Sequence, residues 1–170
     1  MKEANGCMRN LRVISGGQTG ADQGALEAAM RLGLETGGWC PPGRYCESGP
    51  IPQKYILQET ETERSTAAPD IPRSLRTELN VRDADATLIL LPASMQPDRG
   101  TRWTLEWASR MRKPVLVADP AEAGASEKIT DWLRSTPVSV LNVAGPSEMI
   151  WPGIFLTTCE LLVKVFQRLR

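Results

Sequence analysis

The stretch Val13-Ile14-Ser15-Gly16-Gly17-Gln18-Thr19-Gly20-Ala21-Asp22 constrains this chain more than any other. An apolar run from Leu11 to Ile14 stops at a glycine pair, and Ala25, Leu26, Ala28, Ala29, Met30 and Leu32 follow at helical spacing. The pattern reads as buried strand, sharp turn, helix. Glycines let the backbone turn tightly and approach a ligand closely, while the first helical turn offers unpaired N–H groups and partial positive charge. Such a turn suits an anion, most often the phosphate of a nucleotide or cofactor. Gly16, Gly17, Gln18, Thr19 and Gly20 are therefore candidate phosphate-binding residues, and Asp22 is placed to cap the helix or bind a ribose hydroxyl. The plainer alternative is a strand-to-helix connection with Thr19 or Asp22 as N-cap.

Two common chemistries do not fit this loop. It lacks the Lys that follows the last glycine of a P-loop, and its glycines miss the G-x-G-x-x-G spacing of dinucleotide-binding turns. Composition narrows the field further. Twenty Lys plus Arg balance twenty Asp plus Glu, which argues against a nucleic-acid partner held by bulk charge. No segment reaches the roughly 18 apolar residues of a membrane span, and Met1 to Gly6 has no signal-peptide apolar core. The expectation is a cytoplasmic, single-domain chain over 1–170 with no membrane partner. There is no His, which removes Ser-His-Asp and Cys-His mechanisms. Cys7, Cys40, Cys46 and Cys159 show no C-x-x-C spacing, so they read as buried thiols and no directly ligated metal is expected.

Further along, Leu34 to Cys40 is short enough for a weak second strand. A region rich in Pro, Gly, Ser, Thr and Glu follows, from about 41 to 71, and reads equally as a functional lid or as disorder. Within and beside it, Arg44 could reach a phosphate, and Trp39 and Tyr45 could stack on a planar ligand. Pro72 suits the first position of a helix running to about Asp83. The run Ala86 to Leu91 is the strongest strand of the chain, continuous enough to be buried on both faces. A helix between parallel strands runs antiparallel to them, so Arg73 and Arg76 should lie at the edge of the first glycine loop and Arg82 at the opposite edge. That favours Arg76 over Arg82 as a ligand contact.

Gly100 and Thr101 open the next helix, in which Trp103 and Trp107 share a face. Pro114 to Ala118 and Val138 to Val143 are further strands. Gly145 ends the last of them, and a closing helix starts at about Pro152. Alternating strands and helices predict an α/β, doubly wound, mainly parallel five-stranded sheet with helices on both faces. Its ligand site should lie beyond the carboxyl ends of the strands, where the order reverses. A strand order of 2-1-3-4-5 would set the first and third strands side by side and give their turns one shared pocket.

The blocks Ile14 to Asp22, Gly37 to Arg44, Asn80 to Asp85 and Leu141 to Pro146 resemble the molybdenum carrier-type proteins of bacteria. These are circularly permuted relatives within the SLOG superfamily, which also holds the Lonely Guy phosphoribohydrolases once labelled lysine decarboxylases. The resemblance covers nearly the whole chain. It implies a Rossmann-like fold, a bound molybdenum cofactor (molybdopterin) or nucleotide, and a homodimer or homotetramer. It also offers a competing activity, hydrolysis of nucleoside monophosphates at the N-glycosidic bond, and a third reading as a sensor of nucleotide derivatives. The phosphoribohydrolases carry P-G-G-x-G-T-x-x-E, where this chain has Asp98-Arg99-Gly100-Thr101-Arg102-Trp103-Thr104-Leu105-Glu106. Gly100 and Thr101 match, but Thr104 stands at the acid's position. Glu106 comes two residues later, about 200° further round the helix. The candidate catalytic set under the hydrolase reading is therefore Glu106 or Asp22 to assist water, with Arg76 anchoring the phosphate.

Overall fold

The structure, a computed structural model, describes residues 10–170; Cys7 and the segment Met1 to Gly6 lie outside the described residues. The chain opens with β1 (Arg12–Ile14), α1 (Ala21–Arg31) and β2 (Glu35–Gly37). Gly38 then breaks what looked like one strand, and β3 (Trp39–Cys40) departs in another direction. The short strands β4 (Tyr45–Cys46), β5 (Gly49–Pro50) and β6 (Gln58–Glu59) follow, and then α2 (Ser74–Asp83) and β7 (Ala86–Leu90). The remainder is α3 (Arg99–Arg110), β8 (Val115–Ala118), α4 (Ala125–Ser135), β9 (Val140–Ala144) and α5 (Ile154–Arg168).

The central sheet is the expected five-stranded, all-parallel one. Its order, β2-β1-β9-β7-β8, becomes 2-1-5-3-4 when only these five strands are counted along the chain. The closing strand thus lies between the first and third, where the order 2-1-3-4-5 had placed it at the edge. Arg12 is level with Val140 of β9, and Ala86 of β7 is level with Leu141. Burial explains the choice. Leu141, Asn142 and Val143 are all buried, so β9 has no side to show to water, whereas β8 exposes Val117 and tolerates an edge. If β9 and α5 preceded β1, the order would read 3-2-1-4-5, the doubly wound arrangement. The reversal then falls between β9 and β7.

Two helix groups sandwich the sheet. The helices α1, α4 and α5 pack together, and their apolar faces join Leu88, Leu90, Leu141 and Val143 in the main core. Across the sheet α2 packs on α3. The segment from 41 to 71 is folded. Cys40, Cys46, Ile51 and Tyr55 close over Leu26 of α1 in a second apolar cluster. Arg44, in the left-handed region at φ 52°, pins this flap from within by donating to the carbonyls of Leu57 and Tyr55.

Candidate functional site

A cavity of about 320 Å³ lies beyond the carboxyl ends of β1, β7 and β9. Gln18 and Asp22 wall it from the first turn, Gly100, Thr101 and Thr104 from the start of α3, Gly145 and Ser147 from the turn after β9, and Arg73 and Arg76 from the start of α2. This is the shared pocket expected of such a sheet, built around the reversal between β9 and β7.

Its charged groups are unequally satisfied. Arg76 Nη1 lies 3.2 Å from Asp22 Oδ2, with their side chains 17% and 4% exposed. Asp22 also accepts the Gln18 backbone N–H at 3.3 Å. Burial pushes its carboxyl upward in pKa, against the pull of Arg76, and burial likewise lowers Arg76. Asp98 caps α3, its Oδ1 accepting the Thr101 N–H at 2.7 Å. Glu47 accepts the Thr19 hydroxyl at 3.1 Å. Every acid of the pocket therefore has a task inside the protein. Among the described residues, Arg73 and Arg99 make no salt bridge. The Nε atoms of Arg73 and Arg76 are buried without a partner, as is Oε1 of Gln18, whose Nε2 donates to the Tyr45 carbonyl. Arg73 is held in the left-handed region at φ 57°, which a non-glycine residue adopts at a cost of about 1–3 kcal/mol. The wall thus sets three arginines against three acids, and the protein leaves part of the arginines' hydrogen-bonding capacity unused.

The glycines of the first turn are closely packed. A Cβ on Gly16 would meet Arg76 Nη1 at 1.8 Å, and one on Gly17 would meet Leu57 Cδ1 at 2.4 Å beneath the flap. A Cβ on Gly20 would strike the backbone of Pro146 and Glu148 at 2.6 Å. These glycines make room for neighbouring protein groups. Two amides at this turn are engaged within the protein: Gln18 N–H donates to Asp22, and Ala21 N–H to the Pro146 carbonyl at 3.1 Å. Facing the loop across the cavity wall are the arginine side chains of Arg73 and Arg76.

Other candidates fall away from the cavity. Arg44 is occupied with the flap's own carbonyls. Glu106 stands on the outer face of α3, half exposed and paired with Arg110, because the helical offset from Thr104 turns it from the pocket. Arg82 pairs with Asp83 at 2.7 Å at the far end of α2. Trp39 donates from its indole to Asp83 at 2.7 Å, and its backbone is bracketed by Asn80. Trp103 is buried, donating to Glu78 at 3.0 Å, and its ring lies 5.5 Å from that of Trp107. Gly100 and Gly145 do line the pocket, Gly145 pressed against the Leu90 carbonyl. Sequence reasoning missed Glu47, Asp98, Arg99 and Ser147. The one available signal was the charged pair Asp98-Arg99 directly before the matched Gly100-Thr101.

Residues 13–166 match the model of the circularly permutated YpsA SLOG family. A solved crystal structure, that of a putative molybdenum carrier protein from Syntrophus aciditrophicus, is 37% identical. The match covers 92% of this chain and 95% of that one, with a TM-score of 0.80. None of the curated proteins matches significantly.

Proposed function

The chain belongs to the circularly permutated YpsA SLOG family, and on that footing we propose that it is a carrier-type protein holding a phosphate-bearing cofactor or nucleotide in the arginine pocket. One observation carries the reading: Arg73 and Arg76 line the same cavity, and Arg73 makes no salt bridge among the described residues. Guanidinium forks in the wall of a low-dielectric cavity can donate in pairs to the several oxygens of a phosphate, and such charge-assisted bonds are strong. The buried Asp22 fixes Arg76 in position and Gly16 gives it space. Thr101, Thr104 and Ser147 add hydroxyls to the wall.

The molybdenum cofactor suits this site through its phosphate, which Arg73 and Arg76 would hold. The solved neighbour's description as a molybdenum carrier supports that cargo. A nucleoside monophosphate meets the same requirement. Of the two acids the hydrolase reading names, Glu106 and Asp22, only Asp22 lines the pocket, and it is tied to Arg76.

Mass spectrometry of the purified protein under native conditions tests the carrier reading. A retained species of phosphate-bearing cofactor or nucleotide mass is expected, lost in an Arg73→Gly variant. Catalytic release of free base from nucleoside monophosphates by the pure protein would replace the carrier with the hydrolase.

A further inference from the structure

A second cavity of about 500 Å³ opens beside the arginine pocket. Glu47 belongs to the walls of both. Consecutive residues divide between them, Gln18 and Ser147 facing the first, Thr19 and Glu148 the second. The Thr19–Glu47 hydrogen bond marks their boundary. The first cavity is near the lower end of the roughly 300–1,000 Å³ typical of ligand pockets, so a phosphate with its sugar or linker fills it and a larger ligand must continue outward.

The second cavity has the chemistry for what continues. Phe155 and Met149, the latter 72% exposed, offer a ring and a polarizable thioether to a flat partner. Its two carboxylates are in different states. Glu148 spends both oxygens on the start of α5, accepting Gly153 N–H at 2.5 Å and Phe155 N–H at 3.0 Å. Glu47 accepts only from Thr19, through Oε2, leaving Oε1 without a partner. An acceptor-only group at the edge of a ring site selects N–H donors. A guanine-type edge presents two adjacent N–H groups to a carboxylate, whereas an adenine edge sets one donor beside an acceptor.

We propose that this second cavity holds the planar heterocycle of the ligand, against Phe155 and Met149, with Glu47 selecting rings that present adjacent N–H donors. The proposal rests on the arginine pocket's holding the phosphate. Calorimetric titration of the full chain with ribose 5-phosphate, AMP and GMP separates the two claims. GMP is expected to bind at least about tenfold more tightly than ribose 5-phosphate, which corresponds to 1.4 kcal/mol, and more tightly than AMP. Met149→Ala, a change at an exposed side chain, should shrink the gain from the ring while leaving ribose 5-phosphate unaffected. Glu47→Gln should abolish the preference for GMP over AMP. If ribose 5-phosphate binds and the two nucleotides bind no better, the ring site is overturned and the phosphate site stands. If none of the three binds, both are overturned. A gain and a GMP preference that survive both substitutions would place the ring elsewhere and overturn the proposal.

Discussion

Asp22 and Arg76 stand 54 residues apart in the chain, yet meet at 3.2 Å in the wall of the pocket. That contact joins the first turn of α1 to the first turns of α2 and fixes the end of the site at which the phosphate is expected. Removing one partner of a buried pair leaves the other uncompensated. Arg76→Met alone should therefore cost about 3–5 kcal/mol in urea unfolding. The double change Asp22→Leu with Arg76→Met should cost clearly less than the sum of the single changes. Strict additivity would mean that the pair is not coupled.

Arg73 carries a different prediction, because its backbone is strained and its side chain makes no hydrogen bond or salt bridge within the described residues. Arg73→Gly removes the left-handed penalty at the N-cap of α2. Unfolding should show stability unchanged or raised by up to about 1 kcal/mol, while affinity for phosphate-bearing ligands falls at least about tenfold. Lower stability would show that the side chain has a structural task.

Much of the fold could be read directly from residue patterns. The glycine turn after β1, the continuous apolar run of β7 and the helical spacing through α5 are local signals, and each matches an element. Placing α2 antiparallel to the strands brought Arg76 to the pocket edge and Arg82 to the far end. What escaped was nonlocal. The seat of β9 between β1 and β7 follows from which strand tolerates an exposed side, a comparison visible only once the sheet is assembled. The flap looked structureless because Cys46, Ile51 and Tyr55 follow no period; they pack on Leu26, which lies 20 or more residues earlier. Glycines at a helix start suggested close approach by a ligand; the packing they give to Arg76, Leu57 and the turn after β9 was not legible locally.

That packing predicts two unequal substitutions. Gly17→Ala, at φ +73°, meets the movable end of Leu57 and should cost about 1–2 kcal/mol. Gly20→Ala, at φ +84°, meets the backbone of Pro146 and Glu148, which cannot step aside, and should cost about 3 kcal/mol or more. Equal costs by chemical denaturation would contradict the packing described.

Glu27 should give the protein a small acid-side dependence. A hydrogen bond from Lys54 at 2.7 Å, with Arg31 nearby, holds its carboxyl below the ordinary value of 4.5. A carboxyl lowered in the folded state stabilises fully above its unfolded pKa. That contribution is lost as pH falls from about 4.5 through the folded value. Because Lys54 is half exposed, the contribution should stay under about 1 kcal/mol and weaken with salt. Glu27→Gln should remove that component of the pH profile and nothing at neutral pH beyond the same small amount.

The central claim, that arginine side chains rather than loop amides receive the anion, is tested most directly by calorimetric titration of inorganic phosphate and ribose 5-phosphate. The wild type, Arg73→Gly and Gly17→Ala proteins are compared, each first shown to be folded. Binding that is weakened at least about tenfold in Arg73→Gly and kept within about twofold in Gly17→Ala is the predicted result. Binding that survives in Arg73→Gly but disappears in folded Gly17→Ala would return the anion to the loop and contradict the site described.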